Sequence, residues 1–348
     1  MTAAGAGAGA ASRTAYEGFV RVGGVPVHVV VEGSGPVCVL AAGLAMAWYD
    51  WDPVVPLLAP HRTVVRFDRP GHGLSGPAVE PPTAAGEAAR IAALLDALGG
   101  ESGQTGQGGE AGQGGEAGQG GEAGEVPAVR ELGEAEEAEE GRESAEAGEG
   151  GKGPVTVVGH SIAGFHAEAF ARLYPARTAA LVLVDSSVEE APRALLPPSL
   201  RTAAARGFGR ALTAAGLPAA LGPWARRATV RASRTGGADP APRALTDRCY
   251  RTGRVWQGAL LENARYPDTA AEVLALRAHH PLTAPTTVLA GYDGSARAGS
   301  LAWLSRQAAL ADTLGARFTV AEGAGHLVML DQPQEVARTI LAAPAAAP

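Results

Sequence analysis

Val155-Thr-Val-Val-Gly159-His160-Ser161-Ile162-Ala163-Gly164 joins an apolar run to a tight turn and then to helical periodicity. The run 155–159 reads as a strand buried on both faces, and 162–173 as a helix ending before Pro175. Gly-X-Ser-X-small at such a junction lets strand and helix approach closely. It lifts the Ser161 hydroxyl above the strand end, at the start of the helix. There the helix dipole and the free N–H of Ile162 can stabilise an oxyanion.

Outward from this segment, strands and helices alternate. Residues 16–22 and 25–32 flank Gly23-Gly24 as a β-hairpin. Short apolar runs at 37–42, 63–67, 180–185, 286–291 and 317–322 read as further strands. Helical spacing appears at 83–98, 300–314 and 333–342. This alternation predicts an α/β domain: a mostly parallel central sheet with helices on both faces. Residues 188–281 interrupt it with Ala/Arg-rich helical patterns, broken at Pro197-Pro198, Pro218, Pro223, Gly236-Gly237, Pro240 and Pro242. They read as an inserted helical unit between core segments 15–187 and 282–345. Residues 1–14, rich in Ala and Gly, read as a disordered tail.

The net charge of −7 belongs to one stretch. Residues 100–153 hold fourteen Glu against Arg130, Arg142 and Lys152, so the remainder is mildly positive, too weakly to argue for nucleic acid. Within that stretch GQGGEA occurs three times from Gly106 to Ala123, with no apolar position to stack inward. The expectation is a disordered acidic insertion, with a transient Glu/Ala helix over 131–149. Aromatics are only 5% of the chain, so the core must be built from Val, Leu and Ala. Cys38 and Cys249 give neither metal spacing nor a disulfide framework. No membrane span or signal peptide is expected, and the reading is a cytoplasmic protein.

Beyond the first segment, two others follow in a familiar order. These are Phe67-Asp-Arg-Pro-Gly-His-Gly-Leu-Ser75 and Gly323-Ala-Gly-His326-Leu-Val-Met-Leu-Asp-Gln-Pro333. Together they resemble the α/β-hydrolase superfamily, over about residues 16–99, 154–187 and 284–342. The resemblance implies that fold with a helical lid at 188–281, and a serine hydrolase with Ser161 as nucleophile. Of eight histidines, only His326 combines a Gly-rich loop after a late strand with a following Pro-capped helix, and it is the expected general base. His72 is expected to brace its loop, and the His160 side chain to point away from the nucleophile.

The third member is open. The family usually places an Asp after the strand before the last, which selects Asp293 in Ala290-Gly-Tyr-Asp-Gly294, one residue short of the common spacing. The rival is Asp185 at the end of ALVLVD, and Glu189 is weaker. The second oxyanion donor is expected from the backbone N–H of Leu44 in Ala42-Gly43-Leu44, where the family often has His-Gly. Trp224, Tyr250, Trp256 and Tyr266 are candidates for a pocket or for the lid core, and Trp48, Tyr49 and Trp51 for a pocket wall or packing under the loop. The implied activity is cleavage of a carboxylic ester, lactone, thioester or amide through an acyl-enzyme, with a small-molecule acyl substrate and no metal or organic cofactor. Acyl transfer, peracid formation or a low-turnover ligand sensor are the alternatives. Epoxide and haloalkane hydrolysis are disfavoured, because such relatives carry Asp at the position of Ser161.

Overall fold

The structure is a computed structural model that describes residues 14–101 and 153–344. The calls on residues 1–13, the acidic repeat and helix within 102–152, and the last residues 345–348 lie outside the described residues. Eight strands form one sheet: β1 (Thr14–Val22), β2 (Val25–Gly33), β3 (Val37–Ala41), β4 (Thr63–Phe67), β5 (Val155–His160), β6 (Thr178–Val184), β7 (Thr286–Tyr292) and β8 (Arg317–Glu322). Their spatial order is β1-β2-β4-β3-β5-β6-β7-β8. β2 runs antiparallel to both β1 and β4, and every pairing from β4 to β8 is parallel. Gly23 and Gly24, both at positive φ, close the β1–β2 hairpin, a turn that favours residues lacking a Cβ.

The sequence order reverses around β3, which lies between β4 on one side and β5 on the other. In open α/β sheets the loops leaving the strands diverge at such a point and create a crevice at the carboxyl ends. Here the loops in question are 42–47 after β3 and the Ser161 turn after β5.

Both sheet faces are covered. Val39, Val65, Val157, Leu181, Leu183 and Val288 pack on one face against α2 (Ala84–Glu101), α3 (Ala163–Leu173) and α8 (Ala298–Leu314). Leu40, Val64, Val158, Val182 and Leu289 pack on the other with α1 (Val55–Leu58), α9 (Val328–Asp331) and α10 (Pro333–Ala342). The strand period of two sends alternate residues to opposite cores, which is why the parallel strands read as continuous apolar runs. The short segments 48–51 and 55–58, helical here, carried no periodic signal because each is a single turn.

Between β6 and β7 stand four helices: α4 (Pro198–Ala214), α5 (Leu217–Ser233), α6 (Arg243–Tyr250) and α7 (Gly253–His279). Pro223, expected to break a helix, lies inside α5. A proline cannot donate to the carbonyl four residues earlier, here Ala219. The Arg251 guanidinium donates to that carbonyl instead, at 2.8 Å, so the backbone acceptor remains satisfied.

Charged pairs dock this helical unit to the sheet domain. Arg226 of α5 pairs with buried Asp50, Glu262 of α7 with Arg69, and Arg277 of α7 with Glu168 on α3. The Glu272 carboxylate accepts the N–H groups of Ala84 and Ala85, orphan donors at the start of α2. Arg226 and Arg277, from the Ala/Arg-rich stretch, are therefore docking residues. Among the described residues, no helix is long and apolar enough to cross a membrane.

Candidate active site

The turn from β5 to α3 holds Ser161 at φ 54°, a left-handed conformation that is strained for a residue with a side chain. The turn is tight enough to exclude larger neighbours. A Cβ on Gly159 would lie 2.3 Å from the Ala163 carbonyl, and one on Gly164 would lie 2.0 Å from Ser186 Oγ. The Ala163 methyl is accommodated, fully buried in the core at the start of α3. The residues that must be glycine are thus 159 and 164.

Ser161 Oγ donates to His326 Nε2 at 3.0 Å. His326 follows β8 in the loop 323–327, and its Nδ1 donates to Asp185 Oδ2 at 2.6 Å. The remaining oxygen, Asp185 Oδ1, accepts the Gly291 N–H and the Trp303 indole N–H, both at 2.9 Å. Asp185 is buried, at φ 42°, directly after β6. A carboxylate held by three donors keeps one orientation and fixes the tautomer of the histidine it faces.

The expected partner Asp293 is corrected by this geometry. Its carboxylate is exposed and accepts the Ser295 N–H at 2.9 Å and the Ser300 hydroxyl at 3.3 Å, closing the turn between β7 and α8. The segment Gly291-Tyr-Asp-Gly294 is one residue short of the family spacing, and Asp293 is spent on the turn. β6, adjacent to β5, delivers Asp185 instead. Glu189 is exposed and pairs with the Ala191 N–H.

His160 also departs from expectation. Its Nε2 donates to the His326 carbonyl at 2.9 Å, and the residue lines the same cavity as Ser161. Burial, reinforced by the nearby His326, pushes its pKa well below the ordinary histidine value, so the ring is a neutral strut for the His326 loop. His72 braces its own turn, with Nδ1 3.3 Å from the Pro70 carbonyl and Nε2 3.1 Å from Glu262 Oε2.

Leu44, expected to donate the second oxyanion contact, lies with Ser161 on the wall of one cavity of about 490 Å³. Among the described residues, no hydrogen bond engages the N–H of Leu44 or of Ile162. The cavity is walled mainly by Leu44, Met46, Val230, Val255, Trp256 and Leu260. Tyr250 and Trp256 reach it, whereas Trp224 is 68% exposed on α5 and Tyr266 packs against Phe165. Trp48, Tyr49 and Trp51 are buried beneath the loop. Arg226 borders the cavity, but Asp50 and Asp239 hold its guanidinium. It therefore offers no free charge to a ligand.

Residues 38–339 match the sequence profile of the alpha/beta hydrolase family. The chain belongs to that family. As an alpha/beta hydrolase it is a hydrolase-type enzyme. A fluoroacetate dehalogenase from Burkholderia sp is 42% identical over 71 residues, covering 19% of this chain and 23% of that protein. Cfl2 from Burkholderia cenocepacia is similar in structure, with a TM-score of 0.62 at 19% identity over 93% of this chain and 94% of that one. A thermophilic esterase from Thermogutta terrifontis has a TM-score of 0.58 at 20% identity, over 95% and 97% respectively. At such identities the structural likeness establishes the alpha/beta hydrolase fold and leaves the reaction to the site.

Trp303, Arg69 and Glu262 were not singled out from the sequence. Trp303 is one aromatic on an Ala-rich helix, and nothing local marks its partner. Arg69 left a faint signal, a charge within the otherwise tight Phe67–Ser75 turn.

Proposed function

We propose that this alpha/beta hydrolase cleaves a carboxylic ester with an uncharged, apolar acyl group through an acyl-enzyme at Ser161. The observation that carries the reading is the hydrogen-bonded line Ser161–His326–Asp185. Ser161 Oγ attacks the carbonyl carbon as its proton passes to His326 Nε2. Asp185 stabilises the imidazolium through Nδ1 without taking the proton. The oxyanion is received by the Leu44 and Ile162 amides. Collapse of the tetrahedral intermediate expels the alcohol, which takes the proton from His326. Water, deprotonated by the same nitrogen, then cleaves the acyl-serine and restores the hydroxyl.

The nucleophile type separates this reading from the reaction named for the dehalogenase relative. A serine oxygen that displaced a halide, or opened an epoxide, would form an alkyl ether. An ether has no carbonyl for water to attack, so the enzyme would be consumed in one turnover. Of these intermediates, only the acyl-enzyme returns the hydroxyl to the serine. The apolar cavity and the compensated charge of Arg226 favour a neutral acyl chain over an anionic one.

The test is turnover of p-nitrophenyl esters of increasing chain length, with Ser161→Ala as blank, and labelling by a fluorophosphonate. Activity and labelling that vanish in Ser161→Ala are expected. Undiminished turnover in that variant refutes the proposal.

A further inference from the structure

Arg69 follows β4, and its side chain is 5% exposed. Its guanidinium meets three partners. Nη1 donates to the Ala42 carbonyl and Nη2 to the Gly43 carbonyl at 3.0 Å. Nε and Nη2 grip the Glu262 carboxylate at 3.0 and 2.9 Å, a bidentate pair with α7 of the helical unit. Glu262 is equally buried, and its second neighbour is His72.

The Gly43 carbonyl and the Leu44 N–H are opposite ends of one peptide unit. That unit is trans, since the described chain contains no cis bond. In a trans peptide the C=O and N–H point in opposite directions. A donor that holds the carbonyl therefore sets the direction of the N–H across the plane. The same contact polarises the amide and makes its hydrogen a stronger donor. The Met46 N–H donates to the same carbonyl at 3.2 Å, so two donors fix the plane. Arg69 likewise sets the preceding peptide through Ala42.

We propose that Arg69 is a positioning residue for the Leu44 oxyanion donor, and that Glu262 makes this orientation depend on docking of the helical unit. The inference rests on the acyl-transfer reading above. A lone guanidinium buried beneath the loop would carry a large desolvation cost, and Glu262 offsets it. The carboxylate also anchors the Nε–Nη2 edge of the guanidinium, leaving the Nη1–Nη2 edge to face the loop carbonyls. Undocking of α7 would withdraw that anchor, so the oxyanion hole is complete only when the roof of the cavity is in place.

The experiment compares Arg69→Lys, Arg69→Met and Glu262→Gln with wild type, by kinetics on an ester and by binding of two ligands. An arylboronic acid adds to Ser161 as a tetrahedral adduct and uses the oxyanion hole. The arene of the same size without the boronic acid carries no oxyanion and does not engage it. Each Arg69 variant is expected to lose about 10- to 100-fold in kcat, with KM within threefold, and Glu262→Gln about 3- to 10-fold. Boronate affinity should fall in proportion to kcat/KM, while arene affinity stays within threefold. Should Arg69→Met fail to fold, Arg69→Lys and Glu262→Gln carry the test. If the folded variants keep kcat/KM and boronate affinity within twofold of an active wild type, this inference alone is overturned. Equal losses for boronate and arene also overturn it, since they report general damage to the pocket. A wild type that neither labels with fluorophosphonate nor binds the boronate overturns the acyl-transfer reading and this inference with it.

Discussion

The Trp303 indole N–H lies 2.9 Å from Asp185 Oδ1, on the opposite oxygen from the one that faces His326. Two elements distant in sequence, the end of β6 and the middle of α8, thereby meet at one carboxylate. The Trp303 and His326 rings also meet edge to face, with centroids 6.2 Å apart. Trp303→Phe keeps the ring and removes the donor. A hydrogen bond to a charged group contributes about 1.5–3 kcal/mol, but the Gly291 N–H remains and shares the load. We expect a drop in kcat of about 3- to 10-fold with a melting temperature within a few degrees of wild type. Steady-state kinetics beside a thermal melt checks this, and an unchanged kcat would show the indole to be packing alone.

Asp185→Asn and Asp293→Asn separate the two candidate acids. An amide at 185 would favour the wrong histidine tautomer, and a loss of roughly 10³–10⁴ in kcat is expected. Asp293→Asn should stay within about threefold, because its carboxylate serves only the β7–α8 turn. Kinetics on both purified variants, with circular dichroism to confirm folding, decides the matter. A larger loss in the 293 variant would reverse the assignment.

Stability should depend on pH through His166. This residue is 1% exposed, and burial, aided by the charge of Arg69, lowers its pKa to about 4. In the unfolded chain the imidazole has its ordinary value near 6.5. Between these values the unfolded state binds the proton and the folded state does not. Stability is therefore full above pH about 6.5 and falls as pH drops toward 4, by on the order of 3 kcal/mol for this group. Denaturant titrations from pH 7 to 4 should show that slope, and it should flatten in His166→Leu. An equal slope in the variant would assign the effect elsewhere.

Arg226 is the centre of another docking pair. It reaches Asp50 and Asp239 and also donates to the Tyr250 hydroxyl at 3.2 Å. Arg226→Ala leaves two buried carboxylates without their cation, and a loss of about 3–5 kcal/mol is expected. The double change with Asp50→Ala should recover part of it. A chemical denaturation cycle over the four proteins measures the coupling, and purely additive losses would contradict it.

Arg69 illustrates a reading that local sequence does not support. Its neighbours Phe67 to Ser75 mark a turn, yet its partners are two carbonyls 26 and 27 residues earlier and a carboxylate 193 residues later. Glu262 sits between Leu261 and Asn263 in α7, one of three glutamates or aspartates along that helix after residue 261, and nothing local sets it apart. Nothing in either segment announces the other.

The strands, the hairpin, the Ser161 turn and the placement of His326 were legible because each is a local property. Apolar runs, glycines beside a serine and a loop before a Pro-capped helix encode the chain's own backbone preferences within a few residues. The choice between Asp185 and Asp293 was not local. Both follow a strand, and no local feature marks either as the partner of His326. Sheet order places β6 beside β5, the available length after β7 commits Asp293 to its own turn, and Trp303 arrives from a separate helix. Such outcomes depend on which chain ends the folded sheet brings together, a relation of distances across the molecule that no window of residues contains.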